Sequence, residues 1–244
     1  MKNKFKDEIV YSKNLIFHSI EKGNIKELFI SEKFNEERIL NLIKNKKIHF
    51  QKISDDQFRK RFNSKECRGI AASLKPFEYY DLQKMINESK AQKNPLIVML
   101  DGIEDPHNLG AILRILDAFS VDGLIIRNKR EVKPNTTVSR ISTGAINYVK
   151  IALVSNLSNT VTKLKKEGFF VIATDGDGTV EYQNLKYDFP TVVIIGSEGN
   201  GVSRLLKNNS DYVVKIPMTG HVNSLNASTA TGIFLANIRK EQKQ

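Results

Sequence analysis

The chain has 244 residues, of which 40% are hydrophobic and 27% charged, a composition typical of a folded globular protein. Its longest apolar stretches, 96–100 and 192–195, are far shorter than the roughly 20 residues that cross a bilayer, which excludes a transmembrane helix. A single cysteine, Cys67, excludes an internal disulfide and a cysteine-based zinc site. The first ten residues lack the apolar core of a secretory signal, so we expect a cytoplasmic protein.

Positive charge is concentrated in the first third of the sequence. The formal net charge is +11, which favours a polyanionic partner, either nucleic acid or an acidic membrane surface. Residues 1–94 hold 21 Lys and Arg against 13 Asp and Glu, whereas residues 95–244 hold 17 against 14. Basic clusters at 44–47 and 59–61 could contact phosphates, although a solvated lysine-rich surface would give the same pattern.

The first 72 residues are predicted to form a small α/β domain. Their apolar periodicity indicates a helix at 14–21, a strand at 27–31, a helix at 36–44, a strand at 48–53 and a helix from residue 55. Residues 73–94 are polar, contain Pro76 and carry only a short amphipathic stretch at 80–86, which is typical of a linker.

Residues 95–244 are predicted to form a larger α/β domain. Strands are expected at 96–100, 123–127, 169–174, 191–195 and 212–216, and helices at 109–119, 158–167, 202–206 and 225–241. Short apolar strands that alternate with helices favour a parallel sheet covered on both faces. Ligands of such sheets bind at the carboxyl ends of the strands, which is where this sequence carries its unusual residues.

The first unusual loop leads from the strand at 96–100 into the helix at 109–119. Asn108 is predicted to be the N-cap of that helix. On a helical wheel Arg114 points away from the apolar arc formed by Leu109, Ile112, Leu113, Ile115, Leu116 and Phe119. Arg114 is therefore free to meet a ligand, although a solvated surface arginine would look the same.

Three further segments follow predicted strands. Residues 196–201 contain three glycines, which let the backbone approach a ligand closely, but their spacing fits neither the P-loop nor the dinucleotide fingerprint, and a plain tight connection is an equal alternative. Residues 216–228 carry Ser224, Asn226 and Ser228, more polar side chains than the capping of one helix needs. Thr174 ends a strand before 175–178, which is typical of a turn.

Together these loops resemble the SpoU family of RNA methyltransferases. The first family motif is similar to residues 105–114, the second to 195–201, and the third to Ile216-Pro-Met with Ser224-Leu-Asn226. Three motifs in this order are much more specific than any one of them. Residues 138–145 resemble the serine- and glycine-containing segment of the family, and residues 1–72 resemble the ribosomal-protein-like domain that such enzymes carry in front. The passage at 75–80 favours the branch that methylates a guanosine ribose in 23S rRNA.

The resemblance implies a SPOUT fold, an α/β parallel sheet whose chain is threaded into a deep trefoil knot. It implies S-adenosylmethionine as cofactor, held mainly by backbone groups at Gly196, Ile216 and Leu225, with Thr174 nearby among the cofactor-binding residues. It also implies a homodimer whose active site is completed at the subunit interface. In this arrangement residues 1–72 would bind RNA, 73–94 would form a linker, and 95–244 would catalyse methyl transfer without a metal.

The implied reaction is a displacement in which a ribose 2′-hydroxyl attacks the methyl group of the cofactor, the bond from that methyl to sulfur breaks, and S-adenosylhomocysteine leaves. By resemblance the catalytic residues are Arg114, Asn108, Glu198, Ser224 and Asn226. Family reasoning sometimes makes Arg114 the base, but a guanidinium stays protonated in proteins. An alternative role for Arg114 is to bind the target phosphate and stabilise the developing alkoxide.

Other functions fit parts of the sequence. A tRNA methyltransferase, or an antibiotic-resistance methyltransferase acting on rRNA, would carry nearly the same motifs. A non-catalytic RNA-binding or ribosome-assembly factor would suit the basic first third, but the intact Arg114, Gly196 and Asn226 favour an enzyme. A dinucleotide-dependent oxidoreductase is disfavoured because the order of the glycines is wrong and no acidic residue is well placed after the loop.

Overall fold

The computed structural model describes residues 9–62, 67–221 and 224–242. The chain divides into two compact units. Unit 1 consists of Met1–Phe77 and Pro134–Tyr148, and unit 2 consists of Glu78–Lys133 and Val149–Gln244. The segment 134–148 thus belongs to unit 1, although in sequence it lies within the part predicted to be catalytic.

Strands and helices alternate over most of the described residues. The strands are β1 (Ile9–Val10), β2 (Ile25–Ser31), β3 (Gln51–Ile53), β4 (Ile70–Leu74), β5 (Leu96–Asp101), β6 (Gly123–Arg127), β7 (Ile151–Val154), β8 (Phe170–Thr174), β9 (Val180–Glu181), β10 (Thr191–Gly196) and β11 (Tyr212–Lys215). The helices are α1 (Lys13–Glu21), α2 (Glu37–Asn45), α3 (Asp55–Arg61), α4 (Leu82–Ser89), α5 (Pro106–Ala118), α6 (Thr136–Ile141), α7 (Leu157–Lys166), α8 (Arg204–Asn209) and α9 (Ala227–Gln242). None of the helices formed by the described residues combines the length and apolar character needed to cross a bilayer.

Unit 1 is built on a sheet with the strand order β1-β4-β2-β3. The strands β2 and β3 run parallel, and the other neighbours run antiparallel. Helices α1 and α2 bury their apolar faces in one core with the sheet, through Leu15 and Ile16 on α1 and Ile39 and Ile43 on α2. Both helices are confirmed to within one residue at each end, because their apolar spacing is helical. The predicted strand at 48–53 is shorter, since Ile48 donates its N–H to the carbonyl of Ile43 and closes α2.

Unit 2 is built on a sheet with the strand order β7-β6-β5-β10-β8-β11-β9, in which every neighbouring pair is parallel. The predicted α/β class with a parallel sheet is confirmed. The central strands β5 and β10 are almost wholly buried, as expected for strands with helices on both faces. The trefoil knot remains a prediction of the family resemblance.

Helix α5 begins earlier than its apolar pattern indicates. Its N-cap is Asp105, whose Oδ1 accepts the N–H of His107 at 2.8 Å, and Pro106 occupies the first helical position. The prediction that Asn108 is the N-cap is therefore wrong, because proline is well suited to the first turn and an aspartate before it can cap the free N–H groups. The predicted outward direction of Arg114 is confirmed, since that residue is exposed while Leu113 beside it is fully buried.

Two segments contain strands or helices that were not predicted from the apolar pattern. Within the stretch predicted to be a linker, residues 73 and 74 complete β4, and helix α4 buries Met85 and Ile86 completely. Helix α6, with Asn135 as its N-cap, and strand β7 were not predicted. The functional division into 1–72, 73–94 and 95–244 stays a prediction.

Candidate active site

A cavity of about 690 Å³ opens at the carboxyl ends of β8, β10 and β11 in unit 2. Its lining includes Thr174, Gly196, Ile216 and Leu225, the four residues predicted to hold the cofactor. Thr174 and Gly196 are the last residues of β8 and β10, and Ile216 follows β11 directly. Parallel strands end at one edge of their sheet, so these positions meet although they are distant in sequence.

The glycine loop after β10 folds tightly on itself. Ser197 and Gly201 exchange backbone hydrogen bonds, with N to O distances of 3.2 and 2.9 Å. A Cβ atom added to Gly196 would lie 2.0 Å from the carbonyl carbon of Gly201, whereas one added to Gly199 would have no atom within 4 Å. Only glycine can therefore occupy position 196 without moving the backbone. The loop at 196–201 is thus both a tight connection and part of the cavity wall.

Three predicted catalytic residues form a hydrogen-bonded cluster. Asn226 donates its side-chain amide to Oδ1 of Asn108 at 2.8 Å and also to Oε1 of Glu198. Asn108 in turn donates its amide to the same Glu198 oxygen at 3.0 Å. The cluster joins the first turn of α5, the loop after β10 and the start of α9. The second oxygen of Glu198 makes no hydrogen bond within the described residues and can accept one from a ligand.

Asn226 is itself held in one orientation by α9. Its Oδ1 accepts the N–H of Ser228 at 2.9 Å and the hydroxyl of Ser228 at 2.6 Å. The two sides of the Asn226 amide therefore serve different tasks, because the oxygen caps the helix and the nitrogen orients the cluster. Ser224, which lies two residues earlier, is exposed and lines the cavity.

Thr174 ties two strands together at the base of the cavity. It is buried, and its hydroxyl donates to the carbonyl of Ile194 at 2.9 Å. That donor is already used, so a ligand would meet Thr174 through its backbone or through a lone pair of its oxygen.

Arg114 stands apart from the cluster. It lies six residues after Asn108 on α5, which turns it about 120° around the helix and places it about 9 Å further along the axis. Arg114 is exposed and is not among the described residues that line the cavity, and its side chain forms no hydrogen bond or ion pair with the described part of the chain. A single chain therefore does not bring Arg114 to the other predicted catalytic residues.

The cavity also contains an ion pair that the sequence did not reveal. Lys207 on α8 lies 2.9 Å from Oδ2 of Asp175, and both residues line the cavity. The other oxygen of Asp175 accepts the N–H of Asp177 at 3.0 Å, within the predicted turn after β8. Asp175 could have been found, because it follows Thr174 at a strand's carboxyl end, whereas nothing in the sequence indicated Lys207.

A buried acid anchors the loop that leads from β5 into α5. Glu131 accepts the N–H of Gly102 at 3.2 Å and the N–H of Arg127 at 2.6 Å. Burial raises the pKa of Glu131 to about 7, even though these hydrogen bonds and the charges of Arg127 and Lys133 favour the ionised form. The carboxylate thus joins the loops after β5 and β6 beside the cluster's first helix.

The comparisons with known proteins agree with this arrangement. Residues 95–236 match the SpoU rRNA Methylase family. A protein of Staphylococcus haemolyticus assigned to the TrmH family of tRNA/rRNA methyltransferases is 37% identical over 243 residues, which cover 98% of this chain and 97% of the relative. A protein of Staphylococcus saprophyticus assigned to the same family is 39% identical over 226 residues, covering 92% of this chain and 90% of the relative.

Solved structures show the same fold. The SpoU methyltransferase AviRb from Streptomyces viridochromogenes matches with a TM-score of 0.80 and 21% identity, over 96% of this chain and 89% of that chain. The TrmH/SpoU tRNA modifying enzyme of A. aeolicus matches with a TM-score of 0.56 and 31% identity, over 66% of this chain and 84% of that chain. With its family match, its relatives and its parallel sheet in agreement, this chain belongs to the SpoU (TrmH) family of RNA methyltransferases.

Proposed function

We propose that this protein transfers the methyl group of S-adenosylmethionine to a ribose 2′-hydroxyl of RNA. The observation that carries the proposal is that the cluster of Asn108, Glu198 and Asn226 stands beside the cavity, with Glu198 belonging to both. The glycine loop therefore places groups able to orient a hydroxyl next to a space able to hold a cofactor.

The cavity fits S-adenosylmethionine in size and in the chemistry of its wall. Its volume lies in the range of about 300–1,000 Å³ that is usual for small-molecule sites. Residues 196–201 form part of the wall, and Phe234 and Leu225 supply apolar surface for an adenine ring. AviRb, which shares the fold, has also been solved in complex with the cofactor AdoMet. We expect Thr174, Gly196, Ile216 and Leu225 to hold the cofactor in this chain.

The cofactor supplies a methyl group that its positive sulfur already activates. The chain's own residues then have to orient the ribose hydroxyl and help it to lose its proton. The free oxygen of Glu198 can accept a hydrogen bond from that hydroxyl, while Asn108 and Asn226 hold the carboxyl group in place. Ser224 lies on the cavity wall, where it can contact the ribose.

Arg114 fits the role of an electrostatic stabiliser better than that of a base. Its side chain is exposed and has no ion-pair or hydrogen-bond partner among the described residues, so its charge is available to a ligand. It is also remote from the cluster in its own chain. We therefore infer a homodimer in which Arg114 of one subunit faces the cluster of the other, where it binds the target phosphate and the developing alkoxide.

The substrate class follows from charge and from the relatives. Residues 1–94 carry a net charge of +8, which supports an RNA-binding role for residues 1–72. We propose a guanosine of 23S rRNA as the target, and tRNA is the second candidate because the A. aeolicus tRNA modifying enzyme is 31% identical.

The test is to map 2′-O-methyl groups in rRNA and tRNA from cells that lack this protein. The proposal predicts the loss of one ribose methylation in 23S rRNA, and its return in vitro when the purified protein and S-adenosylmethionine are added. Loss of a tRNA methylation instead would support the second candidate. An unchanged methylation map, together with no transfer in vitro, would reject the proposed activity.

A further inference from the structure

Unit 1 carries an exposed surface that combines positive charge with an aromatic ring. It runs from the end of α2 into β3, the edge strand of the sheet, and we name it the 44–52 surface. Its nine residues include four lysines and no acidic residue. The side chains that form it are all exposed: Lys44, Lys46, Lys47, His49, Phe50 and Lys52.

The lysines of this surface are not neutralised by the described residues. The side chains of Lys44, Lys46, Lys47 and Lys52 form no ion pair or hydrogen bond with residues 9–62, 67–221 or 224–242. By contrast, Lys33 in the same unit pairs with Asp55 at 3.3 Å. The 44–52 surface is therefore suited to a polyanion, because its cations need not first give up an internal partner.

The backbone at the end of α2 presents these side chains at a cost in stability. Lys47 has a φ of 52°, a left-handed conformation that favours glycine after a helix. The N–H of Ile48 bonds to the carbonyl of Ile43 at 3.0 Å, and Ile48 packs against the apolar core. Ile48 thus anchors the turn while its neighbours stay in solvent. Glycine at this position would therefore remove the charge without straining the turn.

Phe50 gives the surface a property that lysines alone lack. Its side chain is 43% exposed, and its ring has no aromatic or cationic partner in the described part of the chain. An aromatic ring among phosphate-binding cations is the arrangement that binds unpaired nucleotides, because bases stack on the ring while the backbone meets the charges. A duplex hides the faces of its bases and would gain nothing from Phe50.

We infer that the 44–52 surface binds unpaired nucleotides of the RNA substrate, with a base stacked on Phe50 and the flanking phosphates held by the lysines. This inference rests on the proposed function and adds the kind of RNA segment that the first domain takes. It also separates two contributions to binding, one from stacking and one from charge, that can be measured independently.

The stacking contribution is tested with the full chain and two labelled RNAs, a short oligouridine strand and a short duplex. Phe50→Leu should weaken binding of the strand roughly 5- to 100-fold and leave the duplex unaffected, since stacking of this strength requires an unpaired base. Phe170→Leu is the matched control, because Phe170 is 40% exposed in unit 2 but its ring already contacts Phe189. Equal strand affinity in wild type and Phe50→Leu overturns the inference.

The charge contribution is tested with Lys47→Gly, which also removes the left-handed lysine. This variant should unfold at a higher urea concentration yet bind the strand more weakly, and the slope of log affinity against log salt should fall by about 0.7. Because the variant is more stable, unfolding cannot explain weaker binding. Lys33→Gln is the control, since Asp55 already balances that charge. An unchanged salt slope in Lys47→Gly counts against the surface.

The same variants separate this inference from the proposed function. If the wild type methylates RNA but Phe50→Leu binds the strand normally, the inference fails and the proposed function stands. If the wild type binds the strand through Phe50 but transfers no methyl group, the proposed function fails and the surface stands. If Phe50→Leu weakens binding to anionic vesicles and not to RNA, the surface is a membrane contact and the inference is wrong.

Discussion

Asn226 donates its side-chain amide to Oδ1 of Asn108 at 2.8 Å, which joins the start of α9 to the first turn of α5. The two residues are 118 positions apart in sequence. Their contact, together with the shared partner Glu198, holds three loops that are distant in sequence next to one another beside the cavity.

The two tasks of Asn226 can be separated by substitution. Asn226→Ser keeps a side-chain oxygen that can cap α9, so its stability should stay close to that of the wild type. It loses the amide that orients Glu198, so methyl transfer should fall at least about tenfold while cofactor binding is retained. Asn226→Ala should lose activity and also about 1 kcal/mol of unfolding free energy. Full activity in Asn226→Ser, measured as methyl incorporation into RNA, would remove Asn226 from the catalytic residues.

Arg114→Ala should abolish methyl transfer without weakening cofactor binding, because Arg114 does not line the cavity. Mixing it with Asn226→Ser tests whether the arginine acts across a dimer. In a mixed dimer, one of the two sites would combine a normal Arg114 with a normal Asn226. Because about half of the dimers in an equal mixture are mixed, the mixture should regain about a quarter of the wild-type rate. If Arg114 acts within its own chain, no site is intact and the mixture stays inactive.

Gly196→Ala should disrupt the cavity wall. The added Cβ would lie 2.0 Å from the carbonyl carbon of Gly201, so the backbone of the loop has to move. We expect a loss of roughly tenfold or more in cofactor affinity, measured by calorimetry, with a destabilisation of about 1–3 kcal/mol. Gly199→Ala is the matched control, because its Cβ would meet no atom within 4 Å. Similar cofactor affinities in the two variants would contradict the role of this close approach.

The buried Glu131 should make stability depend on pH. Its folded-state pKa of about 7 lies above the usual value of about 4.3, so the folded state binds a proton more tightly than the unfolded chain. This contribution to stability is present below about pH 4 and is lost as the pH rises to about 7. Glu131→Gln should remove a dependence on the order of 3–4 kcal/mol, measured by urea unfolding across this range.

Glu167 should contribute to stability with the opposite dependence on pH. Nζ of Lys90 lies 3.0 Å from Oε2 of Glu167. The hydrogen bond between them lowers the pKa of Glu167. Its contribution is present above the usual carboxyl pKa and is lost as the pH falls through the folded-state value. Glu167→Gln should therefore change the acid side of the stability profile only. If the two variants changed the pH dependence of the unfolding free energy in the same way, the burial of Glu131 would not be its cause.

The sequence by itself determined the central strands and the larger helices of unit 2. The strands at 96–100, 123–127 and 191–195 were predicted almost to the residue, because buried parallel strands are short apolar runs and this signal is local. The same holds for the outward face of Arg114, which depends only on helical periodicity. The motif residues for the cofactor were predicted from family resemblance, and all four line one cavity.

Tertiary structure alone decided which of these residues meet. The order β5-β10-β8-β11 brings Gly196, Thr174 and Ile216 to one edge, and no local pattern specifies strand order. The ion pair of Lys207 with Asp175 and the place of segment 134–148 in unit 1 likewise depend on contacts between distant residues. Hydrophobic periodicity predicts which face of a helix or strand is apolar. Which element packs against that face depends on the packing of the whole sheet.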